Sequence, residues 1–252
     1  PMTQLLNDTR LIFQSSVKET LRNPIWIIVG MTQPIMYLLL YAPLLENVPG
    51  LGGANAYNTF VPGLLIMTAL FGSLFVGFDI LSKLRSGVIE RLRVTPVNRL
   101  AIVMGMVLRD VLMLLLQCTV LCVASLFFGF RPNLTGVFIL FGLMALVGVS
   151  MSSLSYALAL AVKDENALAS SVNMFSLPLL LLSGVFLPLS FAPRWMQIAA
   201  EINPMAHAID AARALVDGAL GDPSVIIGFV AFLALGVAFA YWLSRSIRQA
   251  TA

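Results

Sequence analysis

Six stretches of the sequence, each 20 to 32 residues long, contain no Asp, Glu, Lys or Arg. They cover residues 23–45, 47–78, 111–130, 132–162, 166–193 and 223–244. A charged side chain is costly at the centre of a lipid bilayer, and a helix needs about 20 apolar residues to cross one. Only 11% of the 252 residues are charged, whereas a typical soluble domain has about 25%. The stretches therefore predict six transmembrane segments and exclude a water-soluble globule.

The residue pattern inside these stretches indicates helices rather than strands. Runs of Leu, Met, Ala and Phe show no alternation of apolar and polar residues, which a transmembrane β-barrel requires. Lipid offers no hydrogen bonds to an open backbone, so an isolated spanning segment has to be helical. We predict an all-α membrane protein with one transmembrane domain over residues 1–252. Its parts are an interfacial helix (1–22), spans one to five (23–189), an outer re-entrant helical segment (190–222), and span six with a cytoplasmic tail (223–252).

The orientation of the chain follows from the distribution of Lys and Arg. An even number of spans puts both termini on one side of the membrane, and 12 of the 15 Lys and Arg residues fall on that side. The other three are Arg131, Arg194 and Arg213. Because basic residues concentrate in cytoplasmic loops, both termini are predicted to be cytoplasmic. We expect a multi-pass protein of the cell (inner or plasma) membrane.

The residues before the first span predict an amphipathic helix. Its apolar positions recur at roughly helical spacing, and they are Leu5, Ile12, Phe13, Val17 and Leu21. Such a helix lies on the inner membrane face. It serves either as an anchor for the first span or as a docking site for a partner, and the sequence favours the two about equally.

Residues 79–110 form the longest polar run on the predicted cytoplasmic side. Gly87 and Pro96 bracket a short amphipathic piece within it. Its basic residues either enforce the topology and contact acidic lipid headgroups or form a rigid docking surface for a cytosolic protein. Composition alone favours the first interpretation. Arg109 and Asp110 are expected at the inner mouth of the third span, where ion pairing or solvation suffices.

The outer segment, residues 190–222, is too long for a turn and too polar to span. Asn203 and Pro204 predict an N-cap and a first helical residue, and Gly218 predicts the end of a helix of about 14 residues. Arg213 and Asp217 are spaced for a surface ion pair. The helix has one apolar stripe, formed by Met205, Ala208, Ile209, Ala212, Leu215 and Val216. Its length predicts that it dips into, or lies on, the outer leaflet.

The sequence offers no set of residues for enzyme chemistry. His207 is the one histidine, so no triad or metal pattern can be built around it, and a surface or interfacial polar contact is expected. Cys118 and Cys122 lie on one helix face within an apolar run, which favours packing over a disulfide or metal site. We therefore predict no catalytic residues and no metal site.

Two further absences limit how the chain can drive transport. It has no G-x-x-x-x-G-K-[ST] phosphate-binding loop. The charge-free stretches also predict that no ionisable residue lies deep inside a span, which argues against proton-coupled transport. The energy for transport against a gradient is then expected from another chain. That chain needs a cytosolic contact surface, and this requirement favours the inner loop as a docking surface.

Three motifs follow one another in a fixed order between the predicted spans. The inner loop has ERLRVTP at residues 90–96, the end of the fifth span has LSGVFLP at 182–188, and the outer helix has NPMAHAIDAAR at 203–213. Together with an interfacial helix and six spans, this order resembles the type 2 ABC transporter permeases, in particular the bacterial daunorubicin-resistance and nodulation-export types. The similarity covers nearly the whole chain. It is specific for the family and not for the cargo.

The resemblance implies an assembly. Such permeases work as two transmembrane subunits, a homodimer or a pair of paralogues, with two cytosolic ATP-binding cassette subunits. ATP and Mg would be bound by that partner and no cofactor by this chain, which would itself be a permease subunit and not an enzyme. Contacts with membrane lipids and none with nucleic acid are expected.

The resemblance also implies roles for residues at matching positions. Coupling to the ATPase falls to Glu90, Arg91, Arg93, Thr95, Pro96 and Arg99. The second and fifth spans would line the cargo path, which points to Phe71, Phe75, Met174 and Phe175, although helix packing is the competing interpretation of each. The outer gate would comprise Gly184, Phe186, Pro188, Asn203 and Pro204. His207 stands where an aromatic residue is expected in the family.

These expectations combine into a hypothesis of ATP-driven export by alternating access. A path without buried charges suits a hydrophobic or amphipathic cargo, such as a drug, a natural product or a lipid-linked molecule. The alternative is an ATP-independent channel or secondary carrier, since the chain has no ATP site of its own. A membrane enzyme and a scaffold subunit rank third and fourth.

Overall fold

The computed structural model describes residues 2–22, 25–46, 54–87, 99–185 and 192–250. Within these ranges the chain forms helices joined by turns, which confirms the predicted all-α class. The helices are α1 (Met2–Arg22), α2 (Ile25–Glu46), α3 (Ala54–Leu74), α4 (Gly77–Arg85), α5 (Arg99–Phe127), α6 (Leu134–Val162), α7 (Glu165–Leu181), α8 (Arg194–Ile202), α9 (Pro204–Val216) and α10 (Pro223–Ala250).

Four segments of the described chain are long and apolar enough to cross a membrane. They are Tyr57–Arg85, Ala101–Phe127, Leu134–Val162 and Pro223–Ile247. They coincide with the second, third, fourth and sixth predicted spans. The first and fifth predicted spans coincide with α2 and with α7, which has 17 residues. The total of six spans stays a prediction.

Two of the helical segments extend beyond the charge-free stretches. Asp79 and Lys83 fall within the segment Tyr57–Arg85, and Arg109 and Asp110 fall within Ala101–Phe127. The helix α5 begins at Arg99, ten residues before Arg109, so helical residues lie on both sides of this pair. The expectations that no ionisable residue lies deep inside a span and that Arg109 and Asp110 lie at its inner mouth stay predictions.

The helix α6 lies at the centre of the bundle. It contacts α3, α4, α5, α7, α9 and α10, so most of the core forms around it. Its fully buried apolar side chains include Leu140, Leu143, Met144 and Val147. Small residues on α6 allow close packing, as is typical of helices within membranes.

The amphipathic segment at the start of the chain is helical, as predicted. The helix α1 packs along α5, where a Cβ on Gly105 would lie only 2.8 Å from Cγ2 of Ile12. That close approach requires glycine at position 105. The position of α1 on the inner membrane face stays a prediction.

The outer helix forms where the local signals predicted it. The side chain of Asn203 caps α9 by accepting a hydrogen bond from Met205 N–H at 3.0 Å, and Pro204 is its first residue. Gly218 follows the end of the helix with φ of 83°, a left-handed conformation that favours glycine. The predicted apolar stripe is buried against α3, α6 and α10. The depth of this segment in the outer leaflet stays a prediction.

Candidate functional site

A network of charged side chains lies inside the bundle, centred on Arg109. Its guanidinium Nη1 donates to Asp79 Oδ2 at 2.9 Å, and Nε donates to Asp110 Oδ1 at 2.9 Å. The side chains of Arg109 and Asp110 are only 8% and 7% exposed. An unpaired charge at this depth would be strongly unfavourable, and the two carboxylates compensate the guanidinium from two directions.

Tyr156 completes the inner side of this network from α6. Its hydroxyl donates to Asp110 Oδ2 and accepts a hydrogen bond from Arg109 Nη2 at 3.3 Å. The tyrosine is fully buried. A buried phenol requires a hydrogen-bond partner, and here it fixes the orientation of the carboxylate that faces Arg109. The central helix is thereby joined to α5 by polar contacts as well as by packing.

Lys83 continues the network towards the surface. Its Nζ donates to Asp79 Oδ2 at 3.0 Å and pairs with Glu19 Oε2 of α1 at 3.4 Å. Two turns of α4 therefore connect to α1 on one side and to α5 on the other. Arg85, at the end of α4, forms a separate ion pair with Glu165 of α7 at 2.9 Å. That pair is partly exposed and contributes little to stability by itself.

The inner charge network, defined as Glu19, Asp79, Lys83, Arg109, Asp110 and Tyr156, joins the two helices that flank the predicted coupling loop. The loop begins after α4 ends at Arg85, and it ends where α5 begins at Arg99. Of the predicted coupling residues, Glu90, Arg91, Arg93, Thr95 and Pro96 lie outside the described residues. Arg99 is the first residue of α5. The coupling roles of these residues stay predictions.

Sequence reasoning allowed for an ion pair at Arg109 and Asp110, which is observed, but it missed the rest of the network. Arg109 and Asp110 are adjacent opposite charges with apolar residues on both sides along the chain. In a helix that position cannot reach bulk water easily, so an ion pair with further partners is the expected solution. The partners Asp79 and Tyr156 lie 30 and 46 or 47 residues away from the pair. No local pattern identifies them.

A second, partly buried arginine lies at the opposite end of the bundle, the predicted outer end. Arg213 of α9 donates from Nε to the carbonyl of Thr59 at 3.1 Å and from Nη2 to the carbonyl of Gly184 at 2.7 Å. Its Nη1 lies 3.8 Å from Asp210 Oδ1. The predicted surface pair of Arg213 with Asp217 is therefore wrong. Arg213 points inward to α3 and to the end of α7, whereas Asp217 is exposed beyond the last helical residue.

Asn203 links α9 to the end of α7 as well as capping its own helix. Its Nδ2 donates to the carbonyl of Leu179 at 2.8 Å. The chain leaves α7 through Gly184, whose φ is 71°. We call Asn203 and Arg213, with the carbonyls of Thr59, Leu179 and Gly184, the outer clamp. Of the predicted gate residues, Gly184 bonds to Arg213 near the end of α9, whereas Asn203 and Pro204 lie at its start. Phe186 and Pro188 lie outside the described residues.

Electrostatics at the outer clamp are set by burial. Burial raises the pKa of Asp210, and the neighbouring Arg213 guanidinium opposes that rise. His207, one turn earlier in α9, places its Nε2 2.9 Å from the carbonyl of Glu201. That exposed contact is a polar surface interaction, one of the two kinds predicted for this histidine.

The predicted cargo contacts fall into two groups. Phe71 and Phe75 stack with ring centroids 6.3 Å apart, and Phe75 is 43% exposed. Met174 and Phe175 lie on α7 and are 73% and 57% exposed. All but Phe71 therefore present a large apolar surface outside the core. Their role as cargo contacts stays a prediction.

Neither the cysteines nor the acidic residues of the described chain form a metal site. Cys118 and Cys122 are free thiols buried in the core, as expected for packing residues. Among the described residues, no group of three or more His, Cys, Asp or Glu side chains is arranged to hold a metal ion. The polar groups of the inner charge network are directed at one another.

Comparison with known proteins identifies related sequences over most of the chain. The family model described as ABC-2 type transporter matches residues 7–216. The putative transport permease ycf38 of Pyropia yezoensis is 31% identical over 84% of this chain and 74% of that protein. The daunorubicin resistance ABC transporter permease protein DrrB1 of Streptomyces coeruleorubidus is 26% identical, over 79% of this chain and 71% of that protein. The probable multidrug ABC transporter permease YbhR of Escherichia coli K12 is 23% identical, over 61% of this chain and 42% of that protein.

Proposed function

Because this chain belongs to the ABC-2 type transporter family, we propose that it is the permease subunit of an ATP-driven exporter. Its cargo is a hydrophobic or amphipathic compound. The names of two relatives, one for daunorubicin resistance and one for multidrug transport, support that class of cargo. The family match over residues 7–216 is the observation that carries the proposal.

The proposed topology has six spans with both termini in the cytoplasm of the cell (inner or plasma) membrane. Four segments of suitable length and apolarity support it, and α2 and α7 supply the remaining two. The distribution of Lys and Arg supports the orientation. In this arrangement the inner charge network faces the cytoplasmic half of the membrane and the outer clamp faces the external half.

The proposed energy source is a cytosolic ATP-binding cassette partner that binds ATP and Mg. The partner contacts the loop that contains Glu90, Arg91, Arg93, Thr95, Pro96 and Arg99. Closure of the partner displaces this loop together with the helices α4 and α5 that flank it. Since the inner charge network ties those helices to α1 and α6, they move as a unit, which biases the bundle between two packings.

The proposed transport cycle is alternating access by a homodimer or by two paralogous permeases. Cargo shifts the equilibrium between the two packings only through unequal affinity for them. The outer clamp, with Gly184, Phe186, Pro188, Asn203 and Pro204 around it, serves as the external gate. Phe71, Phe75, Met174 and Phe175 contact the cargo on its path.

Purification of the tagged chain from its own membranes tests the proposal. We expect an ATP-binding cassette protein to co-purify, and we expect the reconstituted complex to accumulate daunorubicin in vesicles only when ATP and Mg are supplied. Replacing Glu90 or Arg93 with Ala should abolish the transport-coupled ATPase activity and leave membrane insertion intact. Unchanged coupling in these variants would remove the loop assignment.

The main alternative is an ATP-independent channel or secondary carrier, and the charged residues of α4 and α5 bear on the carrier. The sequence argument against proton coupling assumed that no ionisable residue lies deep inside a span, and Asp79 and Asp110 lie in helical segments that are long and apolar enough to span. The same vesicles separate the two functions. Uptake that needs no ATP and collapses on addition of a protonophore would replace the exporter with a proton-coupled carrier.

A further inference from the structure

The second candidate span is interrupted. The helix α3 ends at Leu74 and α4 begins at Gly77, although both belong to the apolar segment Tyr57–Arg85. In a continuous helix Phe78 N–H would bond to the carbonyl of Leu74. Instead it bonds to the carbonyl of Phe75 at 3.3 Å, and Asp79 N–H bonds to the carbonyl of Val76 at 3.0 Å. The tighter turn deprives the carbonyl of Leu74 and the N–H of Gly77 of their usual helical partners.

One side chain from another helix satisfies both groups. The Ser155 hydroxyl of α6 donates to the carbonyl of Leu74 and accepts from Gly77 N–H at 2.9 Å. A serine hydroxyl has one donor and two acceptor sites, so it can donate to the Leu74 carbonyl and accept from the Gly77 N–H at the same time. Ser155 is fully buried, and an unsatisfied backbone group in lipid costs several kcal/mol. The break therefore depends on this residue.

The two helices approach so closely at the break that position 77 must be glycine. A Cβ on Gly77 would lie 2.7 Å from Ser155 Oγ and 2.8 Å from the Ser155 carbonyl oxygen. Those are distances that real Cβ atoms do not reach. Contact between α4 and α6 is thus built around one serine and one glycine, 78 residues apart.

Three phenylalanines extend across the same break. Phe71 lies on α3, Phe75 in the break and Phe78 on α4. Consecutive rings stack with centroids 6.3 and 6.0 Å apart and interplanar angles of 18° and 21°. A flat aromatic compound that lies on this surface contacts residues on both sides of the break, so its binding depends on the angle between α3 and α4.

Below the break, α4 leads directly to the inner charge network and the coupling loop. Asp79 and Lys83 lie on its first two turns, and Arg85 ends it. A change of angle at Phe75–Val76 therefore displaces the loop relative to α3. A side chain inserted between backbone groups is a recognised cause of bends in helices. Here the angle can change through the hydrogen bonds of the Ser155 hydroxyl, and no backbone hydrogen bond of α3 or α4 has to break.

We propose that Ser155 is a positioning residue for transport: its hydroxyl closes a hinge between α3 and α4, across which Phe71, Phe75 and Phe78 present one surface to a planar aromatic cargo. This inference rests on the proposed export function for its transport step. The hinge adds Phe78 to the predicted cargo contacts. It also explains how cargo contact in the second span reaches the loop that faces the ATPase.

A matched control lies on the same helix. Ser150 is also buried, and its hydroxyl lies 2.9 Å from the carbonyl of Phe232 on α10 and 2.8 Å from that of Leu146. Ser150→Ala removes a hydroxyl that joins two helices, as Ser155→Ala does, but it leaves the break unchanged. A general loss of packing affects both variants equally. A hinge role affects only Ser155→Ala.

The experiment compares both variants with the wild type in two measurements on the complex in lipid nanodiscs. Hydrogen exchange of the peptide covering residues 72–80 reports the break. We expect about tenfold faster exchange at Gly77 in Ser155→Ala, because its N–H loses a buried partner. Stimulation of ATPase activity by daunorubicin reports coupling, and we expect it to fall by about fivefold or more in Ser155→Ala and to stay at the wild-type level in Ser150→Ala.

Further variants keep the test decisive. Ser155→Cys keeps a weak donor and acceptor at nearly the same volume and should give intermediate values. If Ser155→Ala does not fold, Ser155→Cys carries the comparison, and exchange and stimulation in Ser155→Cys equal to those of Ser150→Ala would overturn the hinge. Equal exchange at the break in Ser155→Ala and Ser150→Ala would overturn the hinge. A wild-type complex without ATP-driven transport would remove the export function, while selective exchange in Ser155→Ala would still support the hinge.

Discussion

Arg109 is a buried arginine and Arg213 is a partly buried one, and they are held by different chemistry at opposite ends of the bundle. Arg109 bonds to the carboxylates of Asp79 and Asp110, which belong to two helices that flank the inner loop. Arg213 bonds to backbone carbonyls of Thr59 and Gly184, and its nearest carboxylate, that of Asp210, is 3.8 Å away. The first site consists of ion pairs, whereas the second consists of hydrogen bonds from a guanidinium to backbone carbonyls near the start of α3 and beyond the end of α7.

The two sites differ in the free-energy cost of losing one of their members. At the inner charge network, loss of one member leaves another ion buried without compensation, so the helices that bear these charges stay together. At the outer clamp, loss of the arginine leaves two carbonyls without a hydrogen-bond donor, but it leaves no buried carboxylate without a cation. The outer end is therefore the less costly place to open, which agrees with its proposed role as a gate.

The largest effect is expected from Arg109→Met. It leaves the Asp110 carboxylate buried without its cation, and we expect a loss of about 3 to 5 kcal/mol in the free energy of unfolding. Thermal or denaturant unfolding in detergent measures it, with the exposed Arg85→Met as the control. The double variant Arg109→Met, Asp110→Leu should recover much of the loss. If it is no more stable than the single variant, charge pairing does not explain the inner network.

Asp79→Asn should have the next largest effect. Arg109 then keeps one carboxylate and bonds to a neutral amide in place of the other, and Lys83 loses an ionic partner. Hydrogen bonds to charged groups contribute about 1.5 to 3 kcal/mol, so we expect a loss in this range. Unfolding of the variant beside Glu201→Gln, which changes an exposed carboxylate, checks the assignment. Equal stability of the two variants would contradict it.

Arg213→Lys tests the outer clamp with the charge retained. The compact lysine ammonium cannot reproduce the planar fork that reaches the carbonyls of Thr59 and Gly184 together. We expect a loss of about 1.5 kcal/mol, the lower end of the range for one hydrogen bond to a charged group. Faster exchange of amides at the end of α7 should accompany it. Exchange that rises equally near Arg109 would show that the two ends are not independent.

The smallest effect is expected from Tyr156→Phe. The ring still fills its buried position, and only the hydroxyl that bridges Asp110 and Arg109 is lost. A typical net value is about 1 kcal/mol for a hydrogen bond whose partners retain other bonds. Unfolding measurements beside Tyr241→Phe, an exposed tyrosine, provide the comparison. A loss as large as that of Arg109→Met would mean that the phenol, and not the ion pair, organises the inner network.

Local signals predicted the outer segment well. The cap at Asn203, the first residue Pro204 and the left-handed Gly218 each act over a few residues, so the helix between them could be placed from the sequence. The hydrogen-bond partners of Arg213 could not be predicted in this way. The sequence suggested Asp217 because it stands four positions away, whereas the observed carbonyl partners lie 154 and 29 residues away.

The inner half of the protein was predicted less well for the same reason. Charge-free windows assume that each charge meets lipid alone, so the second window ended before its helical segment does and the third began after its helix does. Arg109 is compatible with its position only because Asp79 and Tyr156 are brought to it by folding. The break after Leu74 is also invisible in the sequence, since its partner Ser155 comes from a distant helix.

Apolarity, charge distribution and short-range capping patterns are properties of consecutive residues, and from them alone follow a helical membrane protein, the approximate places of its spans and the shape of its outer helix. The tertiary structure alone decided which oxygens the arginines bond to across the bundle and which serine bonds to the interrupted helix. The carbonyl partners of Arg213, for example, lie 29 and 154 positions away from it. Such contacts form only when the helices pack, because burial is what makes each polar group require a partner.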